Sequence, residues 1–225
     1  MIGNKRKFYS GVGMMLVFIV LLILMFLPVF KGQNALGYLD ALYNSISKGS
    51  SYYIPKVMEK SDRFIGNPVT VTLVMADHKQ ARQTAKLFIK SGANVDISEN
   101  KLEVAGDLGK ILHNCLVDAD SMYRNDGAEV FNKYGYNEKR ALFNWWKAFK
   151  AMDKELKEKR KFKEARIVAL VVEKAVESSY NYYKIKPQEI SKAVGIVILS
   201  LGFYLLYTVW YGFAIMFMFE GWVMR

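Results

Sequence analysis

Residue types that carry much of protein chemistry are scarce in this chain. It has one cysteine, two histidines and four prolines in 225 residues. The single thiol, Cys115, excludes an intrachain disulfide. His113 and Cys115 are two positions apart, so on a helix they point to different faces and do not share a metal ion. We therefore expect no metal site and no cofactor.

The motifs of common enzyme classes are missing from the sequence as well. No glycine-rich phosphate loop follows a strand, and no Cys-x-x-Cys-His or Gly-x-Ser-x-Gly motif occurs. The aromatic residues lie mostly in apolar periodic patterns rather than in a basic groove, which argues against a nucleic-acid partner. These absences predict no catalytic residues and a protein that is not an enzyme.

Charge is absent from two long apolar runs, residues 11–30 and 193–219. Each run is long enough to cross a bilayer core of ~30 Å as a helix, which satisfies its own backbone in hydrocarbon. We predict transmembrane helix 1 at residues 11–30 and transmembrane helix 2 at residues 187–219, with Pro187 in the first turn of the second. The first run is too long for a signal peptide and lacks a cleavage site, so it is interpreted as a retained anchor. Without ionisable groups inside the spans, a transport path through this chain alone is not expected.

The charges that flank the two runs disagree about orientation. The basic residues 5–7 favour a cytoplasmic N-terminus, whereas lysines 184, 186 and 192 before the second run favour the reverse. Because the first helix usually dominates, we expect a two-pass protein of the plasma (inner) membrane. Residues 1–10 and 220–225 would be cytoplasmic tails, and the domain between the spans would be extracytoplasmic, or periplasmic.

The formal net charge is +11, and most of the excess lies between the two runs. Such an excess suits contact with anionic lipid headgroups or with an acidic partner. The alternative is that the lysines form a solvated surface without a specific partner.

Residues 31–67 begin with a short amphipathic helix for which Asn34 is the expected N-cap. Its apolar stripe would rest either at the bilayer interface or on the domain. A turn at Lys48–Ser51 and an extended segment before Pro55 are expected to follow, as a linker.

Residues 68–123 are predicted to form a compact α/β unit. A β-branched strand follows Pro68, Asp77 begins a helix that Gly92 ends, a hairpin turns at residues 98–100, and Asp107 begins a second helix. The order of strand, helix, strand, strand and helix predicts an α+β fold with a split β-α-β-like unit that lacks one edge strand.

The segment from Ala81 to Val104 resembles the ring-building modules of flagellar and type III secretion basal-body rings. The layout of two anchors, an exterior α/β domain and a long helix is also similar to that of polysaccharide co-polymerases. Their proline-rich stretch before the second span is reduced here to Pro187. These resemblances imply a homo-oligomeric ring or cage in a secretion or export system.

Residues 124–186 are predicted to be a loop followed by a long amphipathic helix from Asn137 to Tyr183. This helix either bends or consists of two helices joined near the charged stretch Lys154–Arg166. Three large aromatic side chains lie within five residues of its first half, and they are predicted to anchor the helix in the domain core or at a partner surface: Trp145, Trp146 and Phe149.

The second apolar run carries small and hydroxyl-bearing residues that a purely lipid-facing helix does not need. Gly195 and Gly202 are seven positions apart and share a face, on which another helix could approach closely. The residues predicted to pack against other membrane helices are Gly195, Gly202, Tyr204, Tyr207, Thr208 and Gly212. Aromatic anchoring at the bilayer interface is the alternative, and it explains Trp222 but not Tyr204 or Tyr207.

Taken together, these features predict a structural, assembly or accessory subunit of a membrane-embedded envelope complex, with the lipid bilayer and other membrane subunits, or copies of itself, as partners. A ring or cage is the first alternative. A membrane sensor is the second, and it would need a partner for output because few residues follow Phe219.

Overall fold

The structure is a computed structural model that describes residues 2–30 and 32–223. Lys31, the first residue of the predicted linker, and Arg225, in the predicted C-terminal tail, lie outside the described residues. The chain divides into two compact units. The hairpin unit comprises Met1–Gly49 and Lys186–Arg225, and the central unit comprises Ser50–Ile185.

The described residues are mainly helical, with one small sheet. In chain order the elements are α1 (Lys5–Phe26), α2 (Ala35–Ser50), α3 (Ile54–Asp62), β1 (Pro68–Val74), α4 (His78–Lys90), β2 (Asn94–Ser98), β3 (Lys101–Asp107), α5 (Leu108–Tyr123), α6 (Gly127–Tyr134), α7 (Glu138–Glu158), α8 (Phe162–Val171), α9 (Glu177–Tyr182) and α10 (Val194–Val223). A π-helical turn at Val172–Val176 joins α8 to α9, and a 3-10 turn at Ile190–Lys192 precedes α10.

The first apolar helix starts earlier and ends sooner than residues 11–30. Asn4 caps it, because its side-chain oxygen accepts a hydrogen bond from the backbone N–H of Lys7 at 3.1 Å. The helix ends at Phe26 because Leu27 precedes Pro28 and has an extended ψ of 143°. The helix therefore begins six residues before the predicted span and ends four residues before the end of that span.

The second apolar helix begins at Val194 rather than at Pro187, and it extends to Val223. The backbone N–H of Gln188 bonds to the carbonyl of Ser45 in α2 at 3.0 Å, and Glu189 is extended with ψ 134°. The segment after Pro187 is thus held against α2 instead of forming the first turn of the helix.

The predicted cap of α2 is confirmed, since the Asn34 side chain accepts from the Gly37 N–H at 2.7 Å. The expected turn and extended segment after this helix were wrong. Helix α2 continues to Ser50, and Pro55 lies in the first turn of α3, where a missing N–H is tolerated.

The order of strand, helix, strand, strand and helix is confirmed in the central unit. Strand β3 lies between β1 and β2 and is antiparallel to both, with Val104 opposite Val71 and Val95. No fourth strand pairs with this sheet within the described residues. Asp77 and Asp107 cap the two helices by accepting from the N–H groups of Gln80 and Lys110.

Alternation along β1 places one face of the sheet in the core. Val69, Val71 and Leu73 are buried, whereas the residues between them are exposed. Side chains at the C-terminal end of α7 and at its C-cap, Lys159, cover the outer edge of β1: Glu155 accepts from the Thr72 N–H at 2.5 Å, and Lys159 donates to the Thr70 carbonyl at 2.9 Å. These contacts protect an edge that would otherwise pair with another strand.

The region 124–186 is more broken than a single long helix. Helix α6 forms inside the predicted loop and ends at Gly135, whose φ is +72°. Helices α7 and α8 are separate, and the chain reverses at Arg160, which has a left-handed φ of +57°. The expected alternative of two helices joined near the charged stretch is therefore the one observed.

Candidate interaction surface

Helix α7 packs two of the three predicted aromatic anchors into the core of the central unit. Trp145 and Phe149 are both 0% exposed. The Trp145 ring lies 5.1 Å from the Phe149 ring and 5.4 Å from the Phe88 ring. These residues share the face of α7 that carries its apolar three-and-four spacing.

Trp146 is one position further along and therefore points about 100° around the helix, toward α9. It is half-buried in a groove between α7 and α9, which we call the aromatic groove. The groove has a volume of about 330 Å³ and is lined by Leu142, Phe143, Trp146, Val176, Glu177, Tyr180 and Asn181. The rings of Phe143 and Trp146 stack with centroids 6.1 Å apart and planes 25° apart.

Cations surround the rings of the aromatic groove. Lys147 lies 5.2 Å from the centre of the Trp146 ring, and Arg140 lies 5.0 Å from that of Phe143. Lys139 lies 5.0 Å from the centre of the Tyr180 ring. Such contacts hold cations beside an aromatic surface without neutralising their charge.

Glu177 is the acidic side chain among the residues that line the groove. Its carboxylate accepts from the Trp146 indole N–H at 2.7 Å and lies 3.7 Å from the Lys150 ammonium. The carboxylate is therefore engaged within the chain, and the rim stays positive. An apolar floor with a positive rim suits an apolar or aromatic side chain that is flanked by acidic groups.

A buried carboxylate lies in the core of the central unit. Asp118 is 2% exposed and accepts from Lys133 Nζ at 2.5 Å, Tyr134 Oη at 2.5 Å and the Trp145 indole N–H at 2.8 Å. Its partners lie on α6 and α7, so the network joins these helices to α5. With three donors already directed at it and almost no exposure, this carboxylate positions helices rather than contacts a substrate.

The Cys115 thiol and the Tyr134 phenol, both near Asp118, stay protonated. Burial raises the pKa of the Cys115 thiol, and the nearby Asp118 adds to the rise. Burial, followed by repulsion from Asp118, also raises the pKa of the Tyr134 phenol. A buried neutral thiol is unreactive, so Cys115 behaves as a core side chain.

The two histidines do not come together with other ligand types. His78 Nδ1 lies 2.8 Å from the Glu99 carbonyl oxygen, and His113 is exposed on α5. Across residues 2–30 and 32–223, no three His, Cys, Asp or Glu side chains are placed to hold a metal ion.

The residues singled out on α10 fall on two sides of that helix. Tyr207 faces α1: its ring stacks on Phe18 at 4.3 Å, and its hydroxyl donates to the Phe18 carbonyl at 3.4 Å. Thr208 donates to carbonyls of its own helix, and Tyr204 is 66% exposed. A Cβ added at any of the three glycines would meet no atom within 4 Å: Gly195, Gly202 and Gly212.

Other small residues provide the close contact between α1 and α10. A Cβ at Gly11 would lie 2.7 Å from the Met218 nitrogen, and one at Gly221 would lie 2.4 Å from the Phe8 nitrogen. Lys7 and Glu220 form an ion pair of 2.8 Å at the same end. Sequence pattern alone does not single out these glycines because they lie at the edges of the apolar runs, although the complementary charges of Lys7 and Glu220 beside them are a usable signal.

Helices Lys5–Phe26 and Val194–Trp222 are long and apolar enough to cross a membrane. No known protein-family model, curated protein or solved structure matches this chain.

Proposed function

We propose that this chain is a non-enzymatic structural, assembly or accessory subunit of a membrane-embedded envelope complex. It spans the plasma membrane twice, through α1 and α10, with both ends cytoplasmic and the central unit extracytoplasmic. The length and apolar character of the two helices support the spans. The Lys7–Glu220 ion pair supports a hairpin, because it brings the two ends of the chain to one side.

The observation that carries the partner-binding role is the aromatic groove. Phe143, Trp146 and Tyr180 are large side chains that the chain leaves partly open to solvent, although Trp145 and Phe149 beside them are fully buried. Tryptophan, tyrosine and arginine are the residues that dominate protein–protein binding energy. The groove combines these residue types with a cavity into which a partner side chain fits.

The second proposed surface is the face of α10 that carries Gly195, Gly202 and Gly212. Helix α1 does not use these glycines. In hydrocarbon, a face with small residues permits the close approach of another helix, which lipid chains do not reproduce. A neighbouring transmembrane subunit is therefore the proposed occupant of this face.

The test is the mass of the assembly purified with the tagged full chain in mild detergent. Trp146→Ala combined with Lys147→Glu should release partner chains, whereas Phe131→Ala should retain them. Phe131 is a matched control because it is 50% exposed on α6 in the same unit. A monomeric mass for the unmodified chain would contradict the proposal, and a multiple of the chain's own mass would indicate the ring or cage alternative.

Orientation has its own test, in which single cysteines are introduced at Lys60 and at Gly3, both of which are exposed. A membrane-impermeant thiol reagent should label residue 60 and not residue 3 in intact cells. Cys115 is 0% exposed, so the unmodified chain should serve as an unlabelled control. Labelling at residue 3 alone would show that the topology is the reverse of the proposed one.

A further inference from the structure

The structure sorts the cations of the charged stretch Lys154–Arg166 into two groups. The first group lies along α7 and is paired with acids of the same helix. Lys157 lies 2.6 Å from Asp153, and Lys159 lies 2.7 Å from Glu155. Lys154 lies 4.0 Å from Glu158. These pairs follow the four-residue spacing that stabilises exposed helices.

The second group has no such partners. Within the part of the chain that the structure describes, four exposed cations form no ion pair: Arg160, Lys161, Lys163 and Arg166. The one acid among them, Glu164, accepts a hydrogen bond from the Asn67 amide at 3.2 Å. We call the segment 160–166 the basic corner.

A large apolar side chain lies at the centre of the basic corner. Phe162 is 62% exposed, with cations immediately before and after it in the sequence. The backbone here is fixed: Arg160 has φ +57°, and the Lys161 N–H bonds to the Leu156 carbonyl at 2.8 Å. The corner therefore presents Phe162 and its neighbouring cations on a defined chain reversal.

We propose that the basic corner docks on the surface of an anionic bilayer. Phe162 inserts among the headgroups, while Arg160, Lys161 and Lys163 contact lipid phosphates. An apolar side chain among lysines and arginines is the pattern of interfacial binding to anionic lipid. A bilayer surface also needs no partner of matching shape, which suits a single exposed aromatic ring beside a chain reversal.

The proposed spans α1 and α10 would tether the central unit to a bilayer. A tethered site meets its ligand at a high effective concentration, so a weak surface interaction becomes populated. The inference rests on the membrane attachment in the proposed function and does not depend on the aromatic groove.

The experiment uses the full chain with Glu158→Cys, labelled with an environment-sensitive fluorophore and reconstituted in nanodiscs. Residue 158 adjoins the corner and is exposed, and the buried Cys115 does not compete for the label. Emission should shift to shorter wavelength when phosphatidylglycerol is added to phosphatidylcholine discs, and added salt should reduce the shift.

Lys161→Glu with Lys163→Glu should weaken docking by at least ~25-fold, because each lost cation near an anionic surface contributes roughly fivefold and the new carboxylates add repulsion. Phe162→Ser should weaken it without changing the charge. Lys79→Glu with Lys90→Glu changes the net charge equally on the exposed face of α4 and should leave the shift intact.

Two results would overturn the inference: no shift in anionic discs, or an equal loss of the shift in the α4 control. The absence of a shift in anionic discs would indicate that the basic corner binds an acidic protein instead of lipid. Co-elution of chain and discs is measured separately. A chain that does not co-elute contradicts the proposed membrane attachment, whereas co-elution without a shift contradicts only the docking of the basic corner.

Discussion

The two units of this chain use apolar side chains in opposite ways. In the central unit a set of large rings forms a core, and Phe88, Trp145 and Phe149 are all 0% exposed. In the hairpin unit many apolar side chains are left outside, with Leu199 and Leu206 both 72% exposed. The central unit therefore gains its hydrophobic free energy within the chain. The hairpin unit can gain it only from surroundings that are themselves apolar.

The contacts inside the hairpin unit fit this difference. Helices α1 and α10 meet through close backbone approaches at Gly11 and Gly221, and through the stacked rings of Phe18 and Tyr207. This is how helices associate where lipid removes the hydrophobic drive and leaves van der Waals packing. In the central unit, packed aromatic rings and a buried polar network hold the helices together.

The largest expected effect is the removal of a core ring from the central unit. Trp145→Ala should lower the free energy of unfolding by about 3–5 kcal/mol, because it leaves a cavity and takes one donor from Asp118. Trp222→Ala, at a ring 63% exposed in the hairpin unit, should change it little. Denaturant unfolding of the full chain, followed by circular dichroism, measures both. Equal losses of unfolding free energy in the two variants would contradict the proposed difference between the units.

The next largest effect is expected at Asp118. Asp118→Asn should lower the free energy of unfolding by about 3 kcal/mol, because it leaves the Lys133 ammonium without its carboxylate partner. Adding Lys133→Met should recover part of the loss, since the uncompensated charge is then removed. Asp96→Asn, on the exposed face of β2, is the matched control. A double variant less stable than Asp118→Asn would show that the ion pair is not what the carboxylate supports.

Much of the sheet and its helices followed from local patterns in the sequence. The β-branched run after Pro68, the caps Asp77 and Asp107, and the two-residue turn at Glu99 act through nearest neighbours. Each is determined within a few residues, so a single sequence is enough to recognise it.

The features that were missed depend on contacts between distant residues. Helix α10 starts at Val194 because Gln188 bonds to Ser45, which is far away in the sequence. The aromatic groove needs Glu177 and Tyr180 of α9 beside Trp146 of α7. Periodicity marked the three aromatic residues of α7 as anchors but did not separate the buried ones from the one in the groove.

Alkaline pH provides a smaller test that acts on the central unit. Burial raises the pKa of Tyr134 and of Tyr136, and burial with repulsion from Tyr182 raises the pKa of Tyr123 to about 12. Above the ordinary tyrosine pKa of ~10, the unfolded chain loses protons that the folded chain keeps. Stability is therefore full below pH ~10 and falls as pH rises, by about 1.4 kcal/mol per pH unit for each such tyrosine.

The measurement for this test is denaturant unfolding across that alkaline range, with tyrosine ionisation followed by ultraviolet absorbance. Some tyrosines should ionise only as the chain unfolds. Tyr134→Phe should reduce the slope of stability against pH, although it also takes a donor from Asp118. A slope that is the same with and without Tyr134 would show that this phenol is not the proton that folding retains.

The smallest expected effect separates the two glycine faces of the hairpin unit. Gly11→Ile should weaken the α1–α10 contact by about 1 kcal/mol, because even a Cβ there lies 2.7 Å from the Met218 nitrogen and 2.8 Å from the Ala214 carbonyl oxygen. Gly202→Ile adds the same side chain where no atom lies within 4 Å, so the contact should persist. Carbodiimide crosslinking of Lys7 to Glu220 in the reconstituted chain reports the contact directly. The crosslink should fall for Gly11→Ile and remain for Gly202→Ile, while partner chains should be lost from Gly202→Ile. If Gly202→Ile retains its partner chains, the face of α10 that carries Gly202 contacts only lipid, and partner binding belongs to the central unit alone.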